Sequence, residues 1–305
     1  MSGPRTATLA PICCATLLCA LAIAGNDASA YAEEANASAF SVQRDLTYAE
    51  APAHERHRLD LYMPKDRQPA GIVIWIHGGG WQRGDKSRMD TKPEAICGAG
   101  FALAAINYRF VPEVTFREQA ADVAAATAWV IEQESLNAAK DHVFLMGHSA
   151  GAHLAALVAA DGKYLAAQDM SPGDLAGIVL LDGAGYDLPA RRDQSADGLG
   201  RFFENVFGKD EAAMREASPA IQALDASELP PFLIFHVAGR VDARKQSHWL
   251  AEAIHTSGNE ARVVPASGKT HGTINREFGQ PNDEVTRLTL DFLTSGKVPP
   301  VAAGG

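Results

Sequence analysis

Cysteine is scarce in this chain, and its distribution narrows the class of protein. Four cysteines occur among 305 residues, and Cys13, Cys14 and Cys19 all lie within the first thirty. Beyond them only Cys97 remains, so that part of the chain cannot form an intramolecular disulfide. A scaffold stapled by disulfides and a metal site built on several thiolates are therefore both excluded for the folded part of the protein.

Long basic runs are also absent, and the formal net charge is −10 at pH 7. Nothing in this charge pattern favours a nucleic acid or an anionic membrane surface as a partner. The histidines include no pair at i, i+4 spacing with a supporting carboxylate, which a metal site on a helix would require. We therefore expect no nucleic acid and no metal. A small molecule is the expected partner.

The only long apolar run in the chain is short for a membrane span and lies at its beginning. Arg5 precedes an apolar stretch over residues 9–24, and small residues then offer cleavage sites after Ala30 and after Ala32. This order is typical of a secretory signal peptide, and we predict one over residues 1–30. The protein is then exported, to the periplasm or the medium, and the mature protein has no membrane span. A lipid anchor is the alternative.

The most informative stretch runs over residues 143–158. A short apolar strand leads into Gly147-His148-Ser149-Ala150-Gly151, and an Ala/Leu-rich helix follows. This is the order of a nucleophile elbow, in which a serine sits on a tight turn between a strand and a helix and glycines leave room for the backbone. We therefore predict that Ser149 is a nucleophile and that the Ala150 amide, at the start of the helix, helps to stabilise an oxyanion.

A second glycine motif lies upstream of the elbow. The continuously apolar strand 72–76 runs directly into His77-Gly78-Gly79-Gly80-Trp81. Successive glycines allow backbone amides to approach a ligand closely. We predict that the amides of Gly79 and Gly80 join that of Ala150 in an oxyanion hole. Which of the amides in this loop point inward is left open.

A serine hydroxyl needs an imidazole to take its proton and a carboxylate to orient that imidazole. Where this elbow occurs, the acid and then the histidine follow the serine along the chain. Asp242 follows the predicted strand 231–237, and we favour it as the acid, with Asp182 and Asp187 as the alternatives. His271 follows the last predicted strand and is the predicted base.

Strands and helices alternate along the rest of the chain. This alternation predicts an α/β fold with a mostly parallel, doubly wound sheet and helices on both faces, in a single domain over residues 31–305. Ligands bind such sheets at the carboxyl ends of the strands. We also predict a cover segment over residues 185–230, with a short helix over residues 201–207 lying above the site. The predicted strands are 40–46, 57–63, 72–76, 102–109, 143–146, 177–181, 231–237 and 261–265, and the other predicted helices include 116–131, 247–256 and 283–293.

Two motifs together carry a family resemblance. His77-Gly78-Gly79-Gly80-Trp81 followed by Gly147-His148-Ser149-Ala150-Gly151 resembles the esterase branch of the α/β-hydrolases related to hormone-sensitive lipase. Within that branch, Gly84-Asp85-Lys86 and Ala152-His153-Leu154 are similar to bacterial feruloyl and acetylxylan esterases and to kynurenine formamidases. The resemblance extends from about Phe40 to Leu293.

The resemblance implies a serine carboxylic ester hydrolase that acts through an acyl-enzyme without a cofactor. Small or short-chain esters, including acetyl and feruloyl esters, are the implied substrates, and a formamidase acting on an amide is the first alternative. The fold alone does not decide function. A binding protein that has lost catalysis, or an acyltransferase that uses an acceptor other than water, therefore stays open.

Overall fold

The computed structural model describes residues 1–3, 39–50, 53–194 and 199–300. The predicted leader, apart from its first three residues, lies outside the described residues. So do residues 195–198 of the predicted cover segment. In the part of the chain that the structure describes, no helix has the length and apolar character needed to cross a membrane.

The described residues form an eight-stranded sheet in the order β1-β2-β4-β3-β5-β6-β7-β8. β1 pairs antiparallel with β2, and β2 pairs antiparallel with β4, whereas all other neighbours are parallel. The predicted mostly parallel sheet is confirmed. The strands are β1 Phe40–Thr47, β2 Arg58–Pro64, β3 Ile72–Ile76, β4 Ala102–Ile106, β5 Val143–His148, β6 Leu175–Leu181, β7 Phe232–Val237 and β8 Ala261–Ala266.

Helices cover both faces of this sheet, because the central strands are apolar on both sides and must be buried on both. In β3, for example, Ile74 faces one apolar cluster and Trp75 faces the other. The helices are α1 Lys92–Gly98, α2 Phe116–Ile131, α3 Ala150–Ala160, α4 Lys163–Ala166, α5 Leu188–Gln194, α6 Leu199–Phe207, α7 Glu211–Glu216, α8 Pro219–Ala223, α9 Val241–Thr256, α10 Thr273–Arg276 and α11 Glu284–Ser295. Buried residues of α2, α3 and α9 belong to the first cluster, and those of α1 and α11 belong to the second.

One helix boundary differs from the prediction in a way that affects the site. α9 begins at Val241, six residues before the predicted start at 247. Its buried face already includes Ala243 and continues through Leu250 and Ile254, so the helical spacing of apolar residues extends further upstream than predicted. Asp242 therefore lies in the first turn of a helix and not in a loop.

The centre of the sheet provides a direct test of the fold. Leu145 is completely buried in β5, between Ile74 of β3 and Ile178 of β6. We expect Leu145→Ala to lower the free energy of unfolding by about 2–5 kcal/mol, because the cavity left behind cannot collapse fully. Urea denaturation followed by circular dichroism measures this change. Leu224→Ala, at a residue that is 50% exposed, is the matched control and should cost less than about 0.5 kcal/mol. Equal effects of the two substitutions would contradict the burial of Leu145 at the centre of the sheet.

Candidate active site

The turn between β5 and α3 has the backbone geometry of a nucleophile elbow. Ser149 has φ 55° and ψ −117°, a strained combination for a residue that is not glycine. A Cβ on Gly151 would lie 2.0 Å from the Ile76 carbonyl oxygen, and one on Gly147 would lie 2.3 Å from the Gly151 oxygen. Both positions therefore require glycine. The Ser149 amide donates to the Leu181 carbonyl at 3.0 Å.

Ser149, His271 and Asp182 are joined in a line of hydrogen bonds. His271 Nε2 lies 3.0 Å from Ser149 Oγ, and His271 Nδ1 lies 2.7 Å from Asp182 Oδ2. The three side chains come from the carboxyl ends of β5, β8 and β6, which meet at one edge of the sheet. This geometry lets the imidazole take a proton from the serine while the carboxylate fixes its tautomer. The predicted pairing of Ser149 with His271 is present.

The prediction that Asp242 stands behind His271 is wrong, because Asp182 lies there. Asp242 is on α9, and its Oδ2 accepts a hydrogen bond from Arg191 Nε at 3.1 Å. Because α9 begins at Val241, Asp242 lies in the first helical turn, where its carboxylate contacts Arg191 and not His271. Asp187, the other alternative, accepts from the Ala190 amide at 3.0 Å, at the start of α5.

Asp182 is completely buried, and its charge is compensated from several sides. Burial raises the pKa of a carboxyl group, but hydrogen bonds from His271 and from the Val237 amide, together with the charge of Arg240, more than offset this effect. The pKa of Asp182 therefore lies below its ordinary value. The Val237 amide donates to Oδ1 at 2.9 Å. Arg240 Nη1 contacts Oδ2 and lies 2.8 Å from His271 Nδ1.

Hydrogen bonds from β5 and from the start of α1 fix the backbone of the segment that carries His271. His148 Nε2 donates to the His271 carbonyl oxygen at 2.8 Å, and the two rings lie 4.6 Å apart. Burial, followed by the charge of His271, lowers the pKa of His148 to about 3, so this ring is neutral. Lys92 Nζ donates to the carbonyl of Asn275 in α10 at 2.8 Å, and Thr91 Oγ1 donates to that of Phe278, just after α10, at 2.7 Å.

The glycine loop lies directly against the elbow. A Cβ on Gly78 would lie 3.1 Å from Ser149 Cβ. Gly79 has φ 136°, and a Cβ there would lie 1.8 Å from the Arg83 carbonyl oxygen, so the loop can follow this path only with glycine. The inward direction of the Gly79, Gly80 and Ala150 amides stays a prediction.

Arg56, which the sequence did not single out, supports the glycine loop. Its Nε donates to the Tyr108 carbonyl at 2.7 Å, and its Nη2 donates to that of Gly84 at 3.2 Å and lies 3.3 Å from His77 Nε2. Burial lowers the pKa of His77 to about 4, so the ring is neutral. His77 Nδ1 then donates to the Gly78 carbonyl at 2.8 Å, and Nε2 accepts from Arg56. The part-buried contacts of Arg56 and His77 thus hold the backbone on which the loop begins.

Lys86, in the Gly84-Asp85-Lys86 motif, anchors the end of this loop to the antiparallel edge of the sheet. Its ammonium group bonds the buried carboxylate of Asp60 in β2 and lies 2.8 Å from Asp45 Oδ1 in β1. Its backbone amide donates to Asn107 Oδ1 at 2.8 Å, and Asn107 Nδ2 donates to Asp85 Oδ2 at 3.0 Å. The motif therefore links the glycine loop to β1 and β2.

The predicted cover segment contains α5 to α8, and the predicted helix over residues 201–207 is confirmed as α6. Trp81, the last residue of the glycine motif, packs against Phe203 and Phe207 of α6 with ring centroids 5.9 Å and 4.9 Å apart. Its Nε1 donates to His153 Nδ1 at 3.3 Å, and His153 Nε2 donates to the Ala217 carbonyl at 2.8 Å. One buried imidazole therefore joins the elbow helix, the glycine loop and the cover.

A comparison with known protein families identifies the family to which this chain belongs. Residues 59–254, which include the glycine loop, the elbow, Asp182 and Asp242, match the BD-FAE family. The chain belongs to the BD-FAE family. The resemblance to α/β-hydrolase esterases that the two glycine motifs indicated is thereby confirmed.

Curated relatives of this BD-FAE member include ester and amide hydrolases. A probable isoprenylcysteine alpha-carbonyl methylesterase of Arabidopsis thaliana is 28% identical over 248 residues, covering 75% of this chain and 51% of the plant protein. Kynurenine formamidase of Danio rerio is 28% identical over 258 residues, covering 82% of this chain and 81% of the fish protein. The chain spans about half the length of the plant relatives that it matches.

Solved structures show the same fold. A truncated carbohydrate esterase from gut microbiota superposes with a TM-score of 0.71 at 22% identity, covering 85% of this chain and 98% of that one. Its likeness supports the assignment of the BD-FAE member to the α/β-hydrolase fold.

The buried histidines predict how the stability of the fold depends on pH. Burial lowers the pKa of His153 to about 4, whereas an imidazole in the unfolded chain titrates near about 6.5. The unfolded chain therefore takes up a proton as the pH falls through this window and the folded protein does not. His153 alone should remove about 2 kcal/mol of stability between pH 7 and pH 5. His77 and His148 act in the same direction.

We expect His153→Gln, whose amide can still accept from Trp81 and donate to Ala217, to lose less stability between these two pH values than the parent protein. Urea denaturation at pH 7 and pH 5 measures the difference. His142→Gln, at an exposed histidine, is the control and should show the parent's loss. The same loss in His153→Gln would contradict a neutral buried imidazole at that position.

Proposed function

We propose that this protein is a serine carboxylic ester hydrolase that acts through an acyl-enzyme on small or short-chain esters. The observation that carries the proposal is the continuous line from Ser149 Oγ through His271 to Asp182, with separations of 3.0 Å and 2.7 Å. The family match supports it, because Ser149 and Asp182 lie within the matched residues 59–254, whereas His271 lies beyond them.

In the proposed acylation step, His271 Nε2 takes the proton of Ser149 as Oγ attacks the ester carbonyl carbon. The carbonyl electron pair moves onto oxygen, and the resulting oxyanion is stabilised by amides of Gly79, Gly80 and Ala150. The carbon–oxygen bond to the alcohol then breaks, and the alcohol leaves with the proton held by His271. Asp182 stabilises the imidazolium throughout without taking its proton.

In the second step, water replaces the alcohol. His271 takes a proton from water, the hydroxide adds to the acyl carbonyl, and collapse of the second tetrahedral intermediate returns the proton to Ser149 Oγ. The acid product leaves. No cofactor is required in this sequence, since every proton transfer uses the same imidazole.

The first test of the proposal removes the two groups that exchange the proton. We expect Ser149→Ala and His271→Ala each to lower kcat on p-nitrophenyl acetate and butyrate by about 10⁴-fold or more. Circular dichroism should show that both variants stay folded. Turnover at the parent's rate in either variant would contradict the proposal.

A second test separates the two candidate acids. Asp182→Asn should lower kcat by about 10⁴-fold, because an amide fixes the wrong tautomer of His271. Asp242→Asn is the matched control: it makes the same chemical change on a carboxylate that contacts Arg191, and we expect kcat within about tenfold of the parent. The opposite ranking would move the acid to Asp242.

Amide hydrolysis is the second candidate function. The match to a kynurenine formamidase over most of both chains favours it specifically. The same line of hydrogen bonds serves this reaction, because His271 can give its proton to a leaving amine. Comparing kcat/KM for acetylated xylan, methyl ferulate, simple acyl esters and N-formylkynurenine decides between the two. We expect an ester to rank first, and a higher value for N-formylkynurenine would assign a formamidase.

The proposal includes export, for which the leader predicted over residues 1–30 is the support. When the full chain is expressed in a bacterial host, we expect the protein outside the cytoplasm to begin at Tyr31 or at Glu33. Amino-terminal sequencing measures this. Ala30→Arg is the informative variant, because Ala30 belongs to both small-residue cleavage sites, and it should block processing. A folded, active chain that keeps Met1 in the cytoplasm would contradict export.

A further inference from the structure

Arg240 stands beside the candidate catalytic residues, and neither the sequence patterns nor the proposed reaction assigns it a role. It lies in the short connection between β7 and α9, where the acid was predicted. Its Nη1 contacts Asp182 Oδ2, the same oxygen that His271 Nδ1 approaches to 2.7 Å. The Arg240 side chain is 36% exposed, whereas Asp182 is completely buried.

These contacts use both oxygens of the carboxylate. The Val237 amide donates to Oδ1 at 2.9 Å, while Arg240 and His271 converge on Oδ2. A carboxylate that accepts from both sides cannot rotate without breaking a hydrogen bond in a buried setting, which is costly. Arg240 therefore contributes to the orientation of the group that orients His271.

The charge of Arg240 has a second consequence. A guanidinium is protonated at all pH values at which enzymes work. It lies 2.8 Å from His271 Nδ1 and shares its carboxylate. It therefore opposes a positive charge on the imidazole and offsets part of the opposite effect of Asp182.

We infer that Arg240 is a positioning residue: it holds the Asp182 carboxylate in place and sets the pH range over which His271 acts as a base. The inference rests on the proposed function. Arg240, in the connection after β7, supports Asp182, which follows β6.

Other charged or titratable groups surround His271 and bear on its pH dependence. The ring of His148 from β5 lies beside that of His271 at an interplanar angle of 36° and is neutral, because burial lowers its pKa to about 3. The charge of Lys92 in α1 contributes to the lowered pKa of His148, and Arg276 of α10 packs beside Gly272. In the part of the chain that the structure describes, His271 Nδ1 contacts Asp182 and Arg240. Substitution of Arg240 therefore removes a charge that lies directly beside this nitrogen.

The experiment compares pH profiles of kcat/KM for p-nitrophenyl butyrate. For Arg240→Gln we expect the acidic limb to move upward by about one pH unit, because a cation that opposes protonation of the base is lost. We also expect kcat to fall by about tenfold, with KM changed by less than about twofold, since the effect is on orientation and not on substrate binding. Arg240→Lys keeps the charge and should keep the acidic limb of the parent.

Arg244→Gln is the matched control. It removes the same charge from an exposed residue one turn along α9, and its profile should coincide with that of the parent. Should Arg240→Gln fail to fold by circular dichroism, Arg240→Met, which keeps the aliphatic stem, replaces it. A lower kcat with an unmoved acidic limb, or an equal shift in Arg244→Gln, would overturn the inference.

Ser149→Ala, measured in parallel, distinguishes failure of this inference from failure of the proposed function. If Ser149→Ala is inactive and the Arg240 profiles do not move, only the role of Arg240 is wrong. If Ser149→Ala is as active as the parent, the proposed function itself is wrong.

Discussion

The hydrogen bond between the buried carboxylate of Asp182 and Nδ1 of His271 is the interaction on which the candidate site depends. It selects the tautomer that leaves Nε2 free to accept the Ser149 proton. Burial of a carboxylate is unfavourable unless the group is paired. Asp182 meets that condition through His271, the Val237 amide and Arg240. The same contacts that compensate this charge in the core therefore also orient the imidazole of His271.

The sheet brings these distant residues together, and buried polar contacts then fix the loops above it. His148, adjacent to Ser149, donates to the backbone of His271, so elbow and base are linked directly. Arg56 and Lys86 hold the two ends of the glycine loop, and His153 joins that loop to the cover. Hydrogen bonds and ion pairs between side chains and neighbouring segments therefore fix the loops that carry the candidate site.

Much of this arrangement could be predicted from sequence, because the patterns involved are local. The apolar strands, the elbow around Ser149, the glycine loop and the Ser149–His271 pair all follow from short motifs and their order. The sequence favoured Asp242 over Asp182, since both follow apolar strands in the required order and Asp242 follows the strand after which the acid was expected. What decided between them was the start of α9, which the spacing of Ala243 and Leu250 signals only weakly. Arg56 and Arg240 act through contacts between distant segments, which no local pattern reveals.

The most direct measurement of the central claim is the site of covalent labelling by a fluorophosphonate. Purified protein is treated with the probe, digested, and the modified peptide is identified by mass spectrometry. We expect a single phosphonyl adduct on Ser149 in the parent protein, and loss of labelling in Ser149→Ala and His271→Ala, since attack requires both the hydroxyl and its base. An adduct on another residue, or undiminished labelling in Ser149→Ala, would contradict the account.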